Sequence, residues 1–180
     1  MKKCAIGVAT VLLFGLTGCL PGGRSTGDLA VTAVDPVRYC GVWYEIARLP
    51  TRFEQGLIHV TATYEQQPDG RIKVINRGWK EGELREITGW AREAEPGKGI
   101  GEWEVSFFRP FSGKYRILHL ADDGSLAMVT SGTRDYLWIL ARTPAVPEAQ
   151  LEQVLAMAKQ MGFAVDLLEY PQQDAAKTPL

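Results

Sequence analysis

Gly41-Val42-Trp43-Tyr44-Glu45-Ile46-Ala47-Arg48 and the distant Arg134-Asp135-Tyr136-Leu137-Trp138-Ile139-Leu140-Ala141-Arg142 decide the fold. The first stretch sets a glycine and a large indole at the start of a strand. The second ends a strand in a guanidinium. A Trp on the first strand and an Arg on the last point to a sheet closed on itself, because closure brings those two strands together. Between them the sequence alternates, with turn residues at steady intervals: Pro68-Asp69-Gly70, Glu81-Gly82, Pro96-Gly97-Lys98-Gly99, Pro110-Phe111-Ser112-Gly113 and Asp122-Asp123-Gly124. Strands are therefore expected near 42–48, 58–65, 71–79, 84–92, 102–108, 114–120, 125–131 and 136–142. Short connections favour a meander over crossovers. The expected class is all-β: an eight-stranded antiparallel up-and-down β-barrel, the size at which a barrel can hold one small ligand.

Past Arg142 the period changes. Leu151, Val154, Leu155, Ala158 and Met161 recur at helical spacing, with Pro147 suited to the start and Gly162 to the stop. This predicts a C-terminal α-helix packed outside the barrel. Val165 to Tyr170 reads as a short strand near the first one, and residues 171–180 as a loose tail.

The motifs resemble those of the lipocalin family. Gly41-x-Trp43 is similar to its first motif, Arg134-Asp135-Tyr136 to its second, and Arg142 to the Arg of its third, which packs across the motif Trp. The runs from Asp35 to Tyr64 and from Arg134 to Pro144 resemble the bacterial outer-membrane lipoprotein lipocalins, which are themselves similar to apolipoprotein D. The resemblance covers about residues 35–170, taken as the barrel domain.

The N-terminus reads as a targeting segment. Lys2-Lys3 precedes an apolar run from Cys4 to Leu16, too short for an ordinary membrane span and suited to a signal peptide over 1–18. Leu16-Thr17-Gly18-Cys19 resembles a bacterial lipobox, in which cleavage precedes the Cys and lipid is attached to it. Leu20 after the Cys, in place of Asp, implies the outer membrane by the same resemblance, with the barrel in the periplasm. Several acyl chains make such anchoring stable. Residues 19–34, rich in Gly, Ser and Thr, read as a flexible tether. Cys40 is then the one thiol in the folded domain, so no disulfide staples it. The net charge is -1, and loss of Lys2 and Lys3 takes it to -3. No basic stripe is evident, and nucleic acid is not an expected partner.

A cavity wall is expected from Ile58, Val60, Val74, Trp90, Phe107, Tyr115, Met128 and Trp138. Parity along the eighth strand puts Trp138 on the face of Arg142, so an Arg142 that closes the floor turns Trp138 into the cavity. Such a pocket suits a fatty acid or a lysophospholipid, since burial of a methylene contributes about 0.8 kcal/mol. Storage or transport of that ligand, without catalysis and without a cofactor or bound metal, is the expected function. Three alternatives stand beside it. A haem or tetrapyrrole carrier would need His119 inside the barrel. A lipid enzyme would use Cys40. A structural lipoprotein would have a filled core. The last strand is apolar on both faces, so its outer face needs a cover, from the helix or from a second barrel in a homodimer.

Overall fold

Strands form between the turn residues. The computed structural model describes residues 23–174. The strands are β1 (Gly41–Arg48), β2 (Ile58–Gln66), β3 (Ile72–Lys80), β4 (Glu83–Glu93), β5 (Glu102–Phe108), β6 (Phe111–Leu120), β7 (Leu126–Thr130) and β8 (Leu137–Ala141). Each is antiparallel to the next, and β8 pairs with β1, so the barrel is closed. A short helix, α1 (Pro36–Tyr39), leads into β1, its Asp35 carboxylate accepting from the Val37 amide. The end that holds α1 and the β2–β3, β4–β5 and β6–β7 connections is the floor. The mouth holds the other four connections.

The floor is sealed by one side chain. The Arg142 guanidinium lies 3.7 Å from the centre of the Trp43 ring. It also donates to the carbonyls of Val42, Arg38 and Tyr39, each at 3.0 Å. The indole N–H of Trp43 donates to the Tyr39 carbonyl at 2.9 Å, so α1, β1 and β8 are tied together. Gly41 has φ +103°, and a Cβ there would stand 3.3 Å from Arg142 Nη1. Glycine serves both the backbone and the guanidinium at that point.

Around β6, β7, β8 and β1 the wall is apolar on both faces, which gives two cores. The inner one gathers Trp43, Tyr64, Trp103, Ile117 and Leu140. The outer one sets Leu126, Met128, Leu137 and Ile139 against Val154 and Ala158 of α2 (Glu148–Gln160). Leu29 and Val31 add to it, so the outer face of β8 is covered within the chain. No second barrel is needed for that purpose.

Three expectations about the ends are corrected. From Arg24 onward the expected tether is docked, not free. The Thr26 amide donates to the Gly132 carbonyl at 3.0 Å, and Val34 is bonded to Gly99 at 2.7 Å. Arg116 donates to the carbonyls of Thr26 and Leu29, and Arg134 to that of Ser25. Small residues let this segment lie close on the wall, and the two arginines satisfy its carbonyls. The tail is likewise held as far as Gln173: the His59 amide donates to the Gln172 carbonyl, and the Gln173 side-chain amide to those of Glu45 and Val60. In place of a ninth strand, Val165–Leu167 is a 3-10 turn, followed by one bridge between Arg48 and Glu169. The expected signal peptide and Cys19 lie outside the described residues.

Arg142→Ala removes a cation–π contact and three hydrogen bonds, and is expected to lower unfolding stability by about 2–4 kcal/mol in urea titration. Arg142→Lys keeps the charge but not the flat, branched donor set, and should recover less than half of that loss.

Candidate functional site: a cavity in the barrel

The inner face of the wall leaves a cavity of about 110 Å³. Its apolar lining comes from Val60, Val74, Val105, Phe107, Val129 and Leu140. Gly89 makes room for one of these. A Cβ at Gly89 would lie 2.6 Å from the Phe107 ring and 2.8 Å from the Ser106 carbonyl, so the ring fills the space that a side chain would take.

Toward the floor the cavity meets a chain of hydroxyls. Tyr115 Oη is 2.7 Å from Tyr39 Oη, and Tyr64 donates to it at 2.9 Å. The Trp103 ring stacks on Tyr115, with centres 5.7 Å apart. Burial pushes all three hydroxyls up, so they are neutral donors and acceptors at any ordinary pH.

Toward the mouth the lining turns acidic. Glu45 is 4% exposed and accepts from Arg48 Nη1 at 2.6 Å. Arg48, itself buried, also donates to the Glu54 carbonyl and to Glu169. The Glu54 carboxylate accepts from Thr51 at 2.7 Å and from the Trp138 indole at 3.1 Å. Burial and the charge of Glu54 push Glu45 up to about 8, against the pull of Arg48. From the cavity, Trp138 stacks on Tyr136, which stacks on Phe53 in the β1–β2 connection.

Of the residues expected to form the wall, the structure brings together Val60, Val74, Phe107, Tyr115 and Trp138. Three lie elsewhere. Met128 pairs across β7–β8 with Ile139 and packs under α2; its neighbour Val129, paired with Trp138, points inward. Trp90 is on the outer face, with the Arg71 guanidinium 4.3 Å from its ring centre, while the adjacent Gly89 and Ala91 face in. Ile58 is 38% exposed because the register of β2 shifts after it, where His59 takes φ 51°. Arg134, Asp135 and Tyr136 do not join the floor motif. They lie in the β7–β8 connection at the mouth, because β8 runs from Leu137 there to Ala141 beside the floor.

The alternatives lose their candidates. Neither His59 nor His119 lines the cavity. A register shift between Ile117 and His119 turns His119 outward opposite Met128. Cys40 also lies off the lining, and burial raises its thiol, the reverse of an activated nucleophile. The cavity itself argues against a filled core.

Sequence reasoning left Glu45, Glu54, Tyr64 and Asn76 out of the wall, reading the two glutamates as solvated or hydrogen-bonded, yet all four line the cavity. Parity held the signal for three of them: Glu45 stands two residues from inward Trp43, Asn76 two from Val74, and Tyr64 four from Val60. Glu54 lies in a connection, where parity says nothing.

A lipocalin-like domain model matches residues 34–173. The chain belongs to the lipocalin family. It is 37% identical over 177 residues to outer membrane lipoprotein Blc of Citrobacter freundii, covering 98% of this chain and 100% of that one. It is 38% identical over 176 residues to the protein of the same name in Vibrio cholerae, covering 96% and 99%. Among solved structures, the allergen Per a 4 from cockroaches superposes with a TM-score of 0.67 at 17% identity, covering 86% of this lipocalin and 98% of that chain. That last likeness is one of fold.

Glu45 supplies a test of the mouth. Its native value lies above the ordinary 4.5, so between about 4.5 and about 8 the folded barrel binds more protons than the unfolded chain. Stability is therefore expected to fall as pH rises through that window. The urea midpoint followed across it should decline in the parent and flatten in Glu45→Gln. A flat parent profile would show Glu45 ionised throughout on Arg48.

Proposed function

We propose that this lipocalin reversibly binds single-tailed lipids in the barrel cavity, storing or transporting them at the outer membrane, where acylated Cys19 holds it. The carrying observation is a largely apolar cavity sealed at the floor by Arg142 on Trp43, whose polar groups are the floor hydroxyls, Asn76 at mid-height and the carboxyls toward the mouth. Each methylene that enters contributes about 0.8 kcal/mol, less the cost of ordering the tail. A cavity of roughly 150 Å³ takes a benzene-sized molecule. The resting volume of about 110 Å³ thus seats the leading part of a tail. Trp138 and Phe107, both only partly buried, move to admit the rest.

Head-group chemistry favours a lysophospholipid over a fatty acid. Near the mouth the lining presents the carboxyls of Glu45 and Glu54. Asn76, also in the lining, has a buried carbonyl oxygen with no partner. Such acceptors welcome the hydroxyls or ammonium of a lysophospholipid, whose phosphate stays at the mouth beside Arg52, Lys80 and Arg109, whereas a fatty-acid carboxylate brings no donor to them. The anchor draws support from the relatives, which are named outer membrane lipoproteins, and from the Leu16-Thr17-Gly18-Cys19 motif.

Displacement of a fluorescent fatty acid should be saturable, with lysophospholipid the stronger competitor. Val74→Phe, which fills the cavity, should weaken both ligands at least about tenfold, equivalent to about 1.4 kcal/mol. Asn76→Leu should narrow the preference between them. Absence of saturable binding by the purified protein would overturn the proposal. For the anchor, Cys19→Ser is expected to leave the outer-membrane fraction, and its retention there would refute acylation as the tether.

A further inference from the structure

The mouth carries an apolar rim that the cavity does not use. Phe53, in the β1–β2 connection, is 72% exposed. Phe108 and Phe111, which flank the β5–β6 turn, are 69% and 76% exposed, and Leu84 beside the β3–β4 turn is 46% exposed. Four large apolar side chains from three connections thus face solvent at one end of the barrel. Among the described residues, Arg52, Lys80 and Arg109 stand at the same end without an ion-pair partner. The acids at this end are Glu54, Glu81, Glu83 and Asp135: Glu54 is held by Thr51 and Trp138, Glu83 by Arg85, and Asp135 accepts from Thr133. Aromatic rings with interspersed cations suit the interface of a lipid bilayer, where rings sit at head-group depth and cations meet phosphate.

The chain's own path says which end meets the membrane. Ser25 bridges to Thr133, in the β7–β8 connection at the mouth. From there the segment runs down the wall to Val34, bonded to Gly99 in the β4–β5 connection at the floor. The chain therefore reaches the domain at the mouth. Five residues lie between Cys19 and Ser25, a span of at most about 22 Å. An eight-residue strand such as β1 is itself about 26 Å long. Tilted as barrel strands are, it rises about 20 Å along the axis, so a tether that starts at the mouth must be stretched almost straight to bring the floor to the bilayer and reaches it with slack when the mouth faces it.

We infer that the rim of Phe53, Leu84, Phe108 and Phe111 docks on the bilayer that holds the acyl anchor, so that the cavity opens onto lipid rather than onto water. The inference rests on acylation at Cys19 as proposed above. A single-tailed lipid then passes between leaflet and cavity without crossing bulk water.

The test uses the full acylated chain with Cys40→Ser, carrying one new cysteine labelled with an environment-sensitive fluorophore. The label stands either at the rim (Ser112→Cys) or at the floor (Asp122→Cys). In vesicles of phosphatidylethanolamine and phosphatidylglycerol, the rim label should brighten about threefold and shift to the blue, while the floor label stays unchanged. Combined Phe53→Ser, Phe108→Ser and Phe111→Ser should abolish the rim response. Equal responses at both positions, or a rim response that survives the triple change, would overturn the docking. So would a chain found unacylated by mass, which would also remove the anchor. Fatty-acid displacement is measured on the same samples. Binding with a dark rim label refutes the docking alone, and docking without displacement refutes the cavity reading alone.

Discussion

Everything directional in this molecule depends on the guanidinium of Arg142 lying on the indole of Trp43. A meander of eight strands has two free edges, and each edge exposes unpaired backbone groups. Pairing β1 with β8 removes both edges, and the Arg142 contact fixes that seam at one end while reaching three carbonyls from α1 and β1. Once that end is shut, the interior has one way in. The floor hydroxyls, the apolar middle and the acidic mouth then follow in order along the barrel axis.

Much of this was legible in the sequence because barrels obey two simple periodicities. Turn residues separated the strands, and β5 falls on the expected Glu102–Phe108. Alternation then sorted the faces wherever a strand ran without interruption, as it does from Trp138 to Arg142. It failed for local reasons. At His59 a positive φ and a shifted register released Ile58 to solvent, and a second shift in β6 turned His119 outward. Met128 was ambiguous for another reason: β7 is buried along its whole length, so hydrophobicity could not distinguish the cavity from the face under α2. The docked N-terminal segment was illegible because its composition is that of a linker. It is held through backbone groups and by arginines a hundred residues away, and neither leaves a local pattern.

The acidic edge of the cavity runs against the usual preference for unpaired charges to stay in water. Glu45 is tolerated inside because burial pushes its carboxyl toward the neutral form and Arg48 is buried beside it, held in turn by Glu169 and a backbone carbonyl. A buried pair of this kind contributes little net stability against a well-packed apolar alternative. Its value lies in fixing acceptors at one height in an otherwise greasy tube. Family membership describes the tube; these acceptors distinguish its contents.

The seam also sets a timetable. Its two strands lie at opposite ends of the domain, and the N-terminal segment reaches as far as Arg134 through a contact spanning 109 residues. Contacts so distant in sequence form late, and chains that rely on them fold slowly. A chain delivered N-terminus first cannot close this barrel until its last strand has arrived. Until then, the apolar inner faces of seven strands wait without a lid. Among the described residues no disulfide holds a partly closed form. The interval before β8 arrives is when the chain is most exposed to aggregation.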